Sequence, residues 1–166
     1  MQLQIDLQVR SVEVTELLNV VHERFSLLAE SRGLTLVVTP TGQALTVQAD
    51  AERASQILAN LLSNAVKYTP PGGTIWVAAE QTAEGVMIRV QDDGPGLTLD
   101  DQRRIFERFY RTDLSRSRAA ASGGGTGVGL TIARGLARAM DGDVTVAAGA
   151  VVGSVFTFTL PPGTST

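Results

Sequence analysis

Between Asn60 and Thr69 the chain reads Asn-Leu-Leu-Ser-Asn-Ala-Val-Lys-Tyr-Thr, and at helical period this stretch has two unlike faces. Leu58, Leu61, Leu62 and Ala65 form an apolar stripe, while Arg53, Gln56, Asn60, Asn64 and Lys67 fall together opposite it. A merely solvated face would mix Glu with Lys in opposite-charge pairs. This one carries two carboxamides one turn apart, then an ammonium and a tyrosine. Oxygen ligands at that spacing beside a cation suit a hard divalent metal that bridges phosphates. An ordinary amphipathic helix that happens to carry asparagines accounts for the same pattern.

The neighbouring residues frame this helix. Asp50 is a good N-cap, the helix runs to about Tyr68, and Pro70-Pro71-Gly72-Gly73 stops it. Upstream, residues 2–8 alternate polar and apolar and predict a strand at a sheet edge. Thr15 and Glu16, with Leu17, Leu18, Val21, Phe25 and Leu28 at helical spacing, predict a helix closed by Gly33. Strands are predicted over Leu34–Val38 and Ala44–Gln48. Downstream, Thr74–Glu80 and Val86–Gln91 predict an antiparallel hairpin. Thr98-Leu99-Asp100 caps a short helix, Thr126 begins a longer one through Met140 ended by Gly142, and Val144–Ala148 and Ser154–Leu160 are the last strands. This order predicts a single domain over 1–166, an α+β fold arranged as a two-layer sandwich.

Composition narrows the functions open to such a domain. At 166 residues and 43% hydrophobic, the chain can bury a real core. No apolar run approaches the ~20 residues of a membrane span. There is no cysteine, and His22 is the lone histidine, so thiolate and multi-histidine metal sites are excluded. A net charge of −3 gives no footprint for nucleic acid. Lys67 is the only lysine among 14 basic residues, which points to a compact point charge wanted at that position. Arg103, Arg104, Arg108, Arg111, Arg116 and Arg118 crowd a stretch without periodicity that extends from Arg111 to Gly125. A loop of that length suits a lid whose cations face a polyanion, or a solvated basic loop.

Two glycine-bearing motifs remain. In Asp92-Asp93-Gly94-Pro95-Gly96 the glycines let the backbone approach a flat ligand, and Asp92 could accept from an exocyclic amino group such as adenine's. A plain strand-to-loop turn would use the same residues. Gly123 to Leu130 (Gly-Gly-Gly-Thr-Gly-Val-Gly-Leu) opens a helix, so its backbone N–H groups can hold phosphate. No Gly-Lys-Ser/Thr follows, no strand precedes and the spacing differs, so neither a P-loop nor a dinucleotide fingerprint is present.

Four of these segments, in order, resemble the N, first glycine, F and second glycine boxes of bacterial sensor histidine kinases. They are Asn60 to Thr69, Asp92 to Gly96, Ile105-Phe106-Glu107-Arg108-Phe109-Tyr110-Arg111, and Gly125-Thr126-Gly127-Val128-Gly129-Leu130. The resemblance covers nearly the whole chain and is to the catalytic and ATP-binding domain. It implies the Bergerat-type α/β sandwich shared with gyrase B, MutL and heat-shock chaperones: a mixed, mostly antiparallel sheet covered by three helices, with the F box and a long ATP lid over 97–125. It implies ATP and Mg2+ as ligands. Carried over, Asn64 is the magnesium ligand with Asn60 beside it, Lys67 contacts the phosphates, and Tyr68 lines the adenine and ribose side. Asp92 accepts from the adenine amino group, with Gly94 and Gly96 giving access. Tyr110, Gly125, Thr126, Gly127, Val128, Gly129 and Leu130 shape the lid and phosphate pocket, and Arg111 reaches the γ-phosphate. Asp93 stands where the family commonly has Asn.

Hydrolysing members of this fold place a glutamate where this chain has Asn60, and a carboxamide takes no proton at neutral pH. The resemblance therefore implies that Asn60, Lys67 and Arg111 position ATP for a nucleophile from outside, a histidine on a separate dimerisation domain, with a response regulator charged afterwards. His22-Glu23 lacks the continuation of the family's phosphoacceptor and is expected to be a surface helical residue. The expected setting is the cytoplasmic part of a larger, membrane-anchored receptor, this domain making no membrane contact itself. A chaperone-like ATPase, a serine kinase and a degenerate contact domain are the other readings.

Overall fold

The computed structural model describes residues 6–107, 129–149 and 152–163. Seven strands and four helices are seen among them: β1 (Arg10–Glu13), α1 (Val14–Ser31), β2 (Thr35–Val38), β3 (Thr46–Ala49), α2 (Ala51–Tyr68), β4 (Thr74–Thr82), β5 (Gly85–Asp92), α3 (Leu99–Arg104), α4 (Gly129–Ala139), β6 (Asp143–Ala148) and β7 (Ser154–Leu160). Five strands form a sheet in the order β2-β4-β5-β7-β6, parallel between β2 and β4 and antiparallel elsewhere. β1 and β3 pair separately as an antiparallel ribbon.

Strict alternation along the sheet decides which face is covered. Val77, Val90 and Phe156 lie in one cross-strand row and Ile88, Phe158 and Val144 in another, all buried. The long helices α1, α2 and α4 cover this face, with Leu17, Phe25, Ile57, Leu58, Leu61, Leu62, Ala133 and Leu136 closing the core. The opposite face stays open and carries Trp76, 38% exposed, beside Val37. An α+β two-layer sandwich of mostly antiparallel sheet under three long helices is therefore what the chain forms.

The central helix starts and stops where its sequence dictates. The Asp50 carboxylate accepts from the N–H groups of Glu52 and Arg53, 3.1 and 3.2 Å away, which satisfies two of the donors a helix start leaves over. At the other end the Thr69 hydroxyl returns to the Ala65 carbonyl at 2.7 Å. Helix α3 begins with a reciprocal capping box between Thr98 and Asp101.

The first expected strand needs correction. Residues 6–9 are not a strand, and residues 1–5 lie outside the described residues. The Gln8 N–H donates to the Asp50 carboxylate at 3.1 Å instead of entering a ladder, and pairing begins only at Arg10, opposite Ala49. The third strand is likewise two residues later at its start than its alternation suggested, because the register with β1 opens at Thr46.

Candidate nucleotide site

Helix α2 delivers four of the expected residues to one surface. Asn60, Asn64, Lys67 and Tyr68 are half-buried along its last three turns, while Leu58, Leu61, Leu62 and Ala65 are buried beneath them. The two-faced pattern of the sequence is thus a core face and a polar rim. Lys67 lies with Nζ 5.7 Å from the centroid of the Tyr68 ring, within cation–π reach. The Asn60 side chain donates through Nδ2 to the carbonyl of Gly129 at 3.2 Å, so the helix touches the opening turn of α4.

At the C-terminal end of β5, Asp92 is buried and held from two sides. Its Oδ1 accepts from the Gly94 N–H at 2.9 Å and its Oδ2 from the Ser154 hydroxyl at 2.8 Å. A methyl group on Gly94 would sit 3.0 Å from Asp92 Oδ1 and 3.1 Å from the Tyr68 carbonyl, so this turn abuts the end of α2 and a side chain there would be tight. Gly153 is tighter still. It has φ +81°, and a Cβ there would lie 1.8 Å from the Asp92 carbonyl oxygen. Gly96 follows with its own backbone against the Gly153 carbonyl.

Asp93 does a separate job. Its Oδ1 accepts from the Thr74 N–H at 2.8 Å, closing the entry of β4. An Asn side chain has an oxygen at the same place and would accept the same bond, so Asp fits where the family commonly has Asn.

Helix α4 opens at Gly129 with Leu130 packed on the core. No heavy atom of the described residues lies within 4 Å of where a Gly129 Cβ would be, in contrast to Gly94 and Gly153. The described residues therefore place no steric demand for glycine at this position. Tyr110, Arg111, Gly125, Thr126, Gly127 and Val128 lie outside the described residues, as does the rest of the expected lid beyond Glu107.

The structure brings together three regions distant in sequence: the last turns of α2, the β5 exit with the start of β7, and the opening of α4. A family model described as "Histidine kinase-, DNA gyrase B-, and HSP90-like ATPase" matches residues 49–164. The chain belongs to this family. Within the family its relatives are sensor histidine kinases. It is 33% identical over 152 residues to sensor histidine kinase WalK of Bacillus subtilis (strain 168), covering 90% of this chain and 24% of WalK. It is 39% identical over 147 residues to adaptive-response sensory kinase SasA of Synechococcus elongatus, covering 88% of this chain and 36% of SasA. The chain therefore spans about a quarter to a third of the length of these relatives. Among solved structures, full-length ShkA in complex with AMPPNP superposes with a TM-score of 0.82 at 34% identity, over 97% of this chain and 32% of that one. The mycobacterial sensor histidine kinase MprB gives 0.76 at 27% identity, over 95% of this chain and all of that one. The chain is thus the ATP-binding catalytic domain of the sensor histidine kinase type.

Sequence reasoning missed two residues that adjoin Asp92, Ser154 and Gly153, neither of which belongs to a recognised run. Ser154 carried one signal: it opens an alternating strand at an inward position, where a hydroxyl must find a partner. His22 is exposed on α1, as expected of a surface helical residue.

The residues fit a phosphate-bridged magnesium ion. Among the described residues no group of three or more His, Cys, Asp or Glu side chains could cage a metal. Mg2+ keeps several waters and takes one or two protein oxygens plus phosphate oxygens, so the Asn64 carboxamide on a half-exposed rim is a donor of the right kind.

Proposed function

We propose that this domain binds Mg-ATP and transfers the γ-phosphoryl group to a histidine on a separate dimerisation domain of the same kinase, from which a response-regulator receiver domain is charged. Asp92 would read the adenine amino group, with Gly94 and Gly96 leaving room for the ring and Tyr68 lining the ribose side. Asn64, with Asn60 beside it, would hold Mg2+, which when bound neutralises phosphate charge. Lys67 and Arg111 would neutralise the remainder. The N–H groups at the start of α4, with Gly125, Thr126, Gly127, Val128, Gly129 and Leu130, would receive the phosphates, and Tyr110 would face them from the F box.

The observation that carries this reading is Asn60. It faces Gly129 with an amide, and the sole carboxylate of α2, Glu52, lies in the first turn, away from the rim. Among the described residues, the rim of α2 carries no carboxylate to take a proton from water, which supports a site that positions ATP for a nucleophile supplied by another domain. The imidazole nitrogen would attack the γ-phosphorus, the bond to the β-phosphate oxygen would break, and ADP would leave.

No helix of the described residues is long and apolar enough to cross a membrane, and the formal charge of −3 offers no nucleic-acid surface. The resemblance to sensor kinases, rather than either of these facts, motivates the reading of a cytoplasmic domain that meets protein partners within a membrane-anchored receptor. Calorimetry of the domain with ATP, with and without Mg2+, tests the reading. Binding that needs Mg2+ in the wild type and loses that need in Asn64→Ala is the expected result. A folded wild type that binds no nucleotide overturns it. Acid-labile phosphate on an added histidine-bearing domain identifies the acceptor, and acid-stable phosphate would favour a serine kinase instead.

A further inference from the structure

The segment that follows α3 and the first turn of α4 are fastened to each other. The Thr131 hydroxyl donates to the Phe106 carbonyl at 2.8 Å. The Arg134 guanidinium lies 4.6 Å from the centroid of the Phe106 ring and donates through Nε to Asp143 Oδ1 at 3.1 Å. Phe106 in turn stands edge-on to the buried Phe156, centroids 6.3 Å apart at 81°. Arg134 is therefore held between a carboxylate on β6 and an aromatic face, its side chain 29% exposed. Cation–π attraction gains strength when the cation is drawn out of water, as here.

Arg138 provides an internal contrast. It donates to the same Asp143 oxygen at 3.1 Å but is 57% exposed and meets no aromatic ring among the described residues. The two arginines share an ion-pair partner and differ in the ring.

We propose that Arg134 is a positioning residue for the phosphate side of the site. Anchored by Asp143, it presses on the Phe106 ring and so fixes the F-box flank against the first turn of α4, where Thr131 completes the clasp. The role rests on the ATP reading above, since its purpose is to hold in place the helix opening that would meet the phosphates. Asp92, which would read the base, lies on another element, so the effect is confined to the phosphate tail.

The test compares adenosine with Mg-ATP binding to the wild type, Arg134→Ala and Arg138→Ala, together with a thermal double-mutant cycle of Arg134→Ala and Phe106→Leu. Arg134→Ala is expected to weaken Mg-ATP about five- to tenfold while leaving adenosine unchanged. Arg138→Ala is expected to change neither. The double variant is expected to lose less thermal stability than the two single variants summed. Additive losses would mean that the arginine and the ring do not cooperate, and would overturn the proposal. So would equal weakening of adenosine and Mg-ATP, which is what a purely structural arginine gives. A wild type that binds neither ligand overturns the ATP reading and this role with it, and a non-additive cycle beside that result would locate the failure in the reading rather than in the clasp.

Discussion

Ser154 donates its hydroxyl proton to Asp92 Oδ2 at 2.8 Å, joining two buried side chains that are 62 residues apart in sequence. The hydroxyl and the Gly94 N–H fix the carboxylate on both oxygens, so its orientation is set before any ligand arrives. Ser154→Ala leaves one oxygen of a buried carboxylate without its donor and is expected to cost about 1–3 kcal/mol of stability. Ser154→Thr keeps the hydroxyl and is expected to cost less. Urea denaturation measures the first effect, and, on the ATP reading, competition between ATP and GTP measures an accompanying loss of base discrimination.

Gly153 and Gly129 make opposite predictions from the same substitution. A methyl group at Gly153 would overlap the Asp92 carbonyl at a left-handed backbone position, so Gly153→Ala is expected to destabilise by ~3 kcal/mol or more. No described residue lies within 4 Å of where a Cβ would be at Gly129, which opens α4, and Gly129→Ala is expected to leave the melting temperature unchanged or raised. On the ATP reading it weakens Mg-ATP while sparing adenosine. Melting curves and calorimetry on both variants decide the matter.

Asp50 joins the N-terminal segment to α2, and its acid form would break that joint. Hydrogen bonds from the Gln8, Arg53 and Glu52 N–H groups outweigh burial and hold its carboxyl below the ordinary 3.8. Burial pushes the Asp143 carboxyl upward, but the hydrogen bonds from Arg134, Val144 and Arg138 together outweigh it, so it too is lowered from 3.8. Because the folded values are depressed, the stability these groups contribute is complete above 3.8 and is lost as the pH falls through that value toward the folded ones. Urea midpoints followed from neutral pH down to about 3 should fall in that acid range. Asp50→Asn should flatten the fall, and Asp50→Ala should cost about 1–2 kcal/mol at neutral pH through the lost cap.

Asn60→Asp keeps the shape of the side chain and removes the N–H that meets the Gly129 carbonyl. A carboxylate against a carbonyl oxygen repels it, so the variant is expected to loosen the contact between α2 and α4 and to lower the melting temperature by a few degrees, roughly 1 kcal/mol. Retained stability would show that the amide is held for ligand contact alone.

Much of this arrangement was legible from spacing. The Asp50 cap, the stop after Tyr68, the hairpin of β4 and β5 and the two-faced α2 each follow from local chemistry, and local chemistry is what a sequence displays. The alternation misled at residues 6–8, where the backbone donor of Gln8 found a carboxylate 42 residues away, a choice no window could show. Ser154, Gly153 and Arg134 escaped for the same reason: each matters through a partner supplied by another element. Asp93, which stands where the family commonly has Asn, accepts from the Thr74 N–H at the entry of a strand, a bond its place in the motif did not announce.

Strand β5 is flanked on both sides, by β4 and by β7, and it ends in Asp92. The amides and the ammonium, by contrast, ride on one helix, and another helix begins at Gly129. On the ATP reading, a ligand would meet one end fixed within a sheet and another shared between two helices whose rims join where Asn60 meets Gly129.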